Sequence, residues 1–298
     1  MEFSVEMSVK GEAANPAYVV ATARALERAG FALLGYTDHP APSHKWLSSG
    51  GHPTFDPFAA LCFVAAVTER IRLMTYLAVL PYRNPLLLAK SVATVDRLSG
   101  GRFTMVAGTG YLRSEFSALG RPFENRNELF DEAIAVIRSV YRSDEFAFTG
   151  QDFAAVGVVQ DAPPIQLPHP PIWIGGSSRA ARRRAARYGD GWAPLRTTPE
   201  FARVVRTGQL ATMAEIAAAI DDLRQLVAAE GRDPEAVAVQ LDGFGLVGDP
   251  ADSVLEKAAE LESVGVTHVV VRLPPGPQSQ VVEAVERFGE EVIASSRR

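Results

Sequence analysis

The chain has 298 residues, 47% hydrophobic and 22% charged, an ordinary balance for a globular protein, and a chain this long buries a large core without staples. Its formal net charge of −5 argues against a nucleic-acid or anionic-membrane partner. The single cysteine, Cys62, rules out an internal disulfide and, within the apolar run Phe58–Val67, reads as a small buried hydrophobe.

Residues Met1–Lys10 alternate polar and apolar side chains and carry Glu2 and Glu6. That is the pattern of a strand, not of a basic-then-apolar leader. No apolar stretch approaches the roughly 20 residues needed to cross a bilayer, so a cytoplasmic protein is expected.

From there short β-rich runs alternate with amphipathic helices. Phe3–Ser8 is the first predicted strand. Asn15 and Pro16 cap and open a helix over Tyr18–Ala29, which Gly30 ends. Ala32–Tyr36 is the second strand, followed by a loop rich in Pro, Gly and Ser to Phe55. Asp56-Pro57 opens a helix to Thr68. Ile71–Tyr76 is a strand, Asn84-Pro85 opens a helix to Leu98, and Gly100-Gly101 closes it. Phe103–Ala107 is a strand. Glu124–Tyr141 is a helix whose Leu129, Ala133, Val136, Ile137 and Val140 share one face. Asp144–Val159 is β-like and predicts a hairpin outside the repeat. Pro171–Ile174, the short segment around Gly191-Trp192, Val237–Leu241 and His268–Val271 are the remaining strands. Ser178–Tyr188, Ala211–Ala229, Ala251–Val264 and Ser279–Ile293 are the helices among and after them.

About eight β/α units in one uninterrupted chain predict a single (β/α)₈ TIM barrel over residues 1–298, with loop insertions at its C-terminal face. A doubly wound sheet would need a Gly-rich first βα turn, which Val9–Asn15 lacks. Barrel chemistry sits on the loops that follow strands. The informative segments fall there: Thr37–Phe55, Tyr76–Asn84, Gly108–Glu115 and Gly175–Ser178.

Gly175-Gly176-Ser177-Ser178 joins a strand to a helix. It reads either as a phosphate cradle of backbone amides at a helix N-terminus or as a tight turn with a serine cap. The arginines at 179, 182, 183, 184 and 187 read as a solvated helix face, with Arg179 or Arg182 near such a phosphate. Gly108-Thr109-Gly110 lacks the third glycine of a dinucleotide fingerprint, Arg113 standing there, and reads as a loop that lets a ring system approach. Asp38-His39 ends the second strand, where an aspartate orients and tunes a histidine acid–base group. A structural, hydrogen-bonded histidine is the alternative. His44 and His52 share that loop, but without zinc-site spacing no metal is expected. Hydrolase, nucleotide triphosphatase and dithiol motifs are absent.

The block Leu80-Pro81-Tyr82-Arg83-Asn84-Pro85 through Lys90, continuing to Asp96-Arg97-Leu98-Ser99-Gly100-Gly101-Arg102, resembles the luciferase-like monooxygenase superfamily. So do Gly108-Thr109-Gly110-Tyr111 with Glu115-Phe116, and Pro171-Ile172-Trp173-Ile174-Gly175-Gly176 with Tyr188-Gly189-Asp190-Gly191-Trp192. The likeness covers Met1 to Pro194; the last third matches as barrel pattern. Within the superfamily the chain most resembles the branch that uses coenzyme F420, an 8-hydroxy-5-deazaflavin.

That resemblance implies a hydride-transfer oxidoreductase acting on a small organic substrate. His39 would face the redox ring and handle protons, with Asp38 fixing its orientation. Thr75, Tyr76, Gly108, Thr109 and Gly110 would line the ring, and Gly175, Gly176 and Ser177 would hold the phosphate. A non-prolyl cis peptide behind the ring is implied, by position between Thr75 and Tyr76. Tyr111 stands where sugar-phosphate dehydrogenases of the branch carry a glutamate proton donor. A phenol is a poor acid at neutral pH, so sugar-phosphate oxidation is disfavoured. Trp46, Phe55, Tyr111 and Trp192 are expected to line a less polar substrate site, with the long loop as lid. The alternative is an FMN-dependent monooxygenase using reduced flavin and O₂. A flavin-binding protein without turnover is a third reading. A homodimer and a separate reductase or dehydrogenase that recycles the cofactor are the expected partners.

Overall fold

Alternating hydrophobic segments close on themselves as a parallel sheet. The computed structural model describes residues 1–142, 145–197, 202 and 207–296. In chain order these form β1 (Glu2–Glu6), α1 (Pro16–Ala29), β2 (Leu33–Tyr36), α2 (His44–Ser48), α3 (Pro57–Ala65), β3 (Arg72–Thr75), β4 (Ala78–Val79), α4 (Pro85–Leu98) and β5 (Phe103–Gly108). There follow α5 (Arg113–Ala118), α6 (Arg126–Val140), β6 (Phe146–Thr149), β7 (Ala154–Val158), β8 (Ile172–Gly175), α7 (Arg179–Tyr188) and β9 (Gly191–Ala193). The chain continues through α8 (Met213–Ala229), β10 (Ala238–Leu241), α9 (Ala251–Ser263), β11 (His268–Arg272) and α10 (Gln278–Phe288), which runs into a π-helical turn at Gly289–Ile293.

The barrel order is β1, β2, β3, β5, β8, β9, β10, β11 and back to β1, every pairing parallel. Eight parallel strands with outer helices make a (β/α)₈ barrel, as the alternation predicts. β4 continues β3 along β5. The hairpin expected from Asp144 is β6 paired antiparallel with β7, outside the barrel; Asp144 itself lies outside the described residues.

Three helices open on an Asx–Pro pair. The side chains of Asn15, Asp56 and Asn84 accept from the amides of Ala17, Ala59 and Leu86, each at 2.9 Å. The proline after each presets the first helical turn. Thr212 and Glu215 form a reciprocal capping box at α8. Among the described residues no helix is long and apolar enough to cross a membrane.

The barrel interior follows the two-residue period of its strands. Leu33, Met74, Val106, Trp173, Ala193 and Val270 form an inner apolar layer. The intervening residues, such as Leu34, Tyr36, Leu73, Ile174 and Trp192, pack outward against the helices.

Several boundaries differ from expectation. β1 stops at Glu6, not Ser8, because the following residues leave the sheet after Met7 bonds Gly35. The long loop contains α2, capped by Ser43, whose hydroxyl accepts from the Trp46 amide at 3.2 Å. The short helix α5 was not visible as a periodic run because it spans only six residues. Cys62 is half-buried, and burial raises its thiol pKa. The arginine run is less solvated than expected: Arg182 bonds Asp222 at 2.7 Å and Arg184 bonds Asp131 at 2.7 Å, tying α7 to α8 and α6.

Candidate active site at the barrel mouth

The C-terminal ends of β2, β3 and β5 bring Asp38, His39, Tyr82, Arg83 and Glu115 together. Glu115 is fully buried in α5. Its Oε2 lies 3.1 Å from His39 Nδ1 and accepts from the Tyr82 hydroxyl at 2.9 Å, while its Oε1 accepts from the Ala41 amide at 3.2 Å. A buried carboxylate needs such donors to offset lost hydration. The arrangement makes Nδ1 the protonated nitrogen and directs Nε2 away from Glu115. Burial and Glu115 together push the Tyr82 phenol far up, so it stays a hydrogen-bond donor.

Asp38 does not orient His39. One oxygen accepts from the Val79 amide at 2.9 Å, and both oxygens are gripped by the Arg83 guanidinium, Nη2 to Oδ1 at 2.9 Å. This corrects the expected Asp38–His39 pairing. A side chain next in sequence on an extended backbone points to the other face, so Asp38 meets the β4 turn while His39 meets α5. Glu115, Tyr82 and Arg83 lie outside the site residues that the sequence predicts. The signal available was an acid placed between Ser114 and the fully buried Phe116.

Rings surround His39. Trp46 lies 4.3 Å from it, His52 5.3 Å and Tyr111 6.2 Å, centroid to centroid. Burial raises the Tyr111 phenol. His52 Nε2 is 2.9 Å from the Thr37 hydroxyl. Burial, with smaller contributions from His39 and Arg272, lowers its imidazole to about 4, leaving it neutral at pH 7.

The opposite wall is built from glycines. The non-prolyl cis peptide joins Tyr76 and Leu77, one residue later than expected, and Leu77 packs against Gly108 and Gly175. A Cβ at Gly108 would stand 2.5 Å from Leu77 Cδ1, and one at Gly175 would collide with Cδ2. Gly110 has φ +76 and would place a Cβ 2.6 Å from Val79 Cγ1. The Thr75 hydroxyl is spent on the Val106 carbonyl at 2.7 Å and does not face the mouth. Thr109 is half-buried beside Gly110.

At the β8–α7 turn, Gly176 adopts φ +101, and the nearest atoms to a Cβ there are 3.6 Å and 3.9 Å away, an open cradle. The Ser177 amide donates to the Thr207 hydroxyl at 2.8 Å, and the Ser177 hydroxyl donates to the Leu195 carbonyl at 2.8 Å. Ser178 caps α7. Arg182 reaches the Ser177 carbonyl at 3.1 Å. A hydroxyl oxygen on the Ser177 amide occupies the place of an anion oxygen. The donor set therefore fits a phosphate that displaces Thr207.

Two expected substrate residues are elsewhere. Trp192 is 1% exposed, donates Nε1–H to the Gly176 carbonyl at 2.9 Å and faces α7. Phe55 lies 6.2 Å from Tyr36, which points outward from β2, and lines a small apolar recess with Val19, Ala60 and Phe63. Strand alternation explains Trp192; Phe55 lies in the loop before α3 and follows the outward-facing Tyr36.

Residues 1–284 match the model of the luciferase-like monooxygenase family. The chain belongs to that family. It is 29% identical over 230 residues to an FMNH(2)-dependent dimethylsulfone monooxygenase of Pseudomonas putida, covering 76% of this chain and 54% of that protein. It is 31% identical to an F420-dependent hydroxymycolic acid dehydrogenase of Mycobacterium tuberculosis, covering 82% of this chain and 62% of that one. The chain thus spans little more than half the length of either relative. In fold it matches the coenzyme F420-dependent tetrahydromethanopterin reductase of Methanopyrus kandleri, with a TM-score of 0.78, 18% identity and 99% of both chains covered. The family holds both F420-dependent oxidoreductases and flavin-dependent monooxygenases, and this chain is an enzyme of that oxidoreductase and monooxygenase family.

Proposed function

We propose that the protein is a coenzyme F420-dependent oxidoreductase that moves a hydride between the deazaflavin and a small organic substrate at the barrel mouth. The carrying observation is His39, held through Nδ1 by the buried Glu115 and enclosed by Trp46, His52 and Tyr111. A histidine with one nitrogen fixed presents the other for proton transfer. His39 is the acid–base group, Glu115 its positioning residue, and Tyr111 a hydrogen-bond donor to substrate. Asp38 acts through Arg83 and the Val79 amide to fix the β4 turn.

When bound, the deazaflavin supplies the hydride chemistry. Gly108, Thr109, Gly110 and Tyr76 would border its ring, Leu77 would back it, and Gly175, Gly176 and the Ser177 amide would hold its phosphate. The same reading calls for a small-molecule substrate, a homodimer, and a separate reductase or dehydrogenase to recycle the cofactor.

Likeness to the FMNH(2)-dependent relative supports a second reading, a monooxygenase that uses reduced FMN and O₂. Equilibrium titration of the apo protein with oxidised deazaflavin and with FMN, followed by cofactor fluorescence, separates the two. Micromolar or tighter binding of deazaflavin alone supports hydride transfer. Preference for FMN, with oxygen uptake on adding reduced FMN, overturns it.

A further inference from the structure

The mouth holds charge that the His39–Glu115 pair does not use. Inside the barrel, Gln240 Nε2 lies 3.5 Å from Ser4 Oγ and 3.4 Å from Met74 Sδ, which places those three side chains in one inner layer. The Gln240 Oε1 is buried without a hydrogen-bond partner among the described residues. Strand side chains return to the same face every second residue. The next inward positions toward the mouth are therefore Glu6 on β1, Tyr76 beyond β3 and Asp242 beyond β10. Val270 is inward on β11, so Arg272 is inward as well.

Glu6 stands level with Arg272 on one neighbouring strand and with Gly35 on the other. Met74 and Tyr76 fill the space over Gly35, where a Cβ would stand 2.7 Å from Met74 Cγ and 3.1 Å from Tyr76 Cβ. His52 Nε2 is 3.9 Å from the Glu6 carboxylate, and His52 in turn packs on His39. Asp242 is 7% exposed. Among the described residues only its Oδ1 takes a hydrogen bond, from the Arg196 amide at 2.5 Å. The Arg196 side chain is exposed and extends toward the Ala211 carbonyl. Both carboxyls feel the field of the inward Arg272; Asp242 also feels Arg196, and Glu6 feels His39.

We propose that Glu6 and Asp242 make the β1–β10 side of the mouth, apart from the phosphate cradle at the β8–α7 turn, an anion-excluding subsite, which takes a neutral or cationic substrate through its hydroxyl or amine hydrogens and turns anionic substrates away. The inference rests on the mouth being the reaction site, as proposed above. It adds the polarity of the substrate. Unspent carboxyl oxygens accept hydrogen bonds from an alcohol or ammonium group. Where the two carboxyls are partly buried, their repulsion of anions is less screened than in open water.

Trp46 reports on this field without any cofactor. It is half-buried against His39, whereas Trp173 and Trp192 are buried at 7% and 1% exposure. Its fluorescence is to be quenched at pH 8 and constant ionic strength by iodide and by neutral acrylamide. The iodide-to-acrylamide ratio of quenching constants should rise roughly twofold in Glu6→Gln/Asp242→Asn and fall in Arg272→Gln. Should the double variant not fold, Glu6→Gln and Arg272→Gln carry the test, since both side chains reach solvent. A ratio unchanged in both overturns the inference. With deazaflavin-loaded enzyme, an uncharged alcohol should turn over and the same alcohol carrying a carboxylate at a non-reacting carbon should not; equal kcat/KM for the two also overturns it. Iodide exclusion with no turnover of any deazaflavin couple would sink the hydride-transfer reading and leave this one standing.

Discussion

Glu115 and His39 lie 76 residues apart in the chain, yet their side chains meet at 3.1 Å, with the carboxylate fully buried. Glu115→Gln keeps the shape but replaces an anion with an amide that also donates. His39 should then sample both ring tautomers, read by ¹⁵N chemical shifts, where the wild type shows Nδ1–H alone. kcat should fall by roughly 10²-fold with KM little changed, as a misplaced acid–base group implies. A single tautomer in both proteins would show that Glu115 does not position the ring.

Arg83 and Asp38 form a buried ion pair at 19% and 1% side-chain exposure. Arg83→Met strands the Asp38 carboxylate with the Val79 amide as its remaining donor. Denaturant unfolding should show a loss of about 3–5 kcal/mol, the cost of breaking rather than replacing such a pair. Activity per folded molecule should persist. Loss of activity without loss of stability would return Asp38 to the chemistry.

Gly110 combines φ +76 with a Cβ position 2.6 Å from Val79 and 3.0 Å from Phe116. Gly110→Ala should cost about 1–3 kcal/mol from backbone strain alone. It should also press on Phe116, the neighbour of Glu115. A thermal midpoint equal to wild type would mean that the loop relaxes freely.

Burial pushes Asp242 up to about 7 from its ordinary 3.8. Between those values the folded protein holds a proton that the unfolded chain releases, so stability falls as pH rises through that window. Asp242→Asn removes this dependence, and the amide oxygen still accepts from the Arg196 amide. The difference in stability between variant and wild type should grow in the variant's favour from pH 4 to pH 7, then level off. Parallel stability curves would place Asp242 in water.

Patterns confined to a few neighbouring residues were legible in the sequence. The Asx–Pro pairs at 15–16, 56–57 and 84–85 each became a capped helix start, because a cap and its amide are two or three residues apart. The alternation of strands and helices fixed the barrel for the same reason: each period is local, and eight parallel strands with crossover helices close in few ways. The mouth loops followed from that topology.

What joined across the barrel was decided by tertiary structure. Adjacency in sequence proposed Asp38 for His39, but consecutive side chains diverge and a fully buried acid on α5 took the place. Trp192 reads as a mouth residue by position and faces outward by strand parity, and Phe55, in the loop before α3, packs on the outward-facing Tyr36; no composition reveals either. The cis bond lies at Tyr76–Leu77 rather than one residue earlier. The carboxyls of Glu6 and Asp242 lie 236 residues apart in the chain and became neighbours only when β1, β11 and β10 lined up side by side. Sequence determines the period and the caps because both are short-range; electrostatic pairing is long-range in sequence, and only the closed sheet sets its distances.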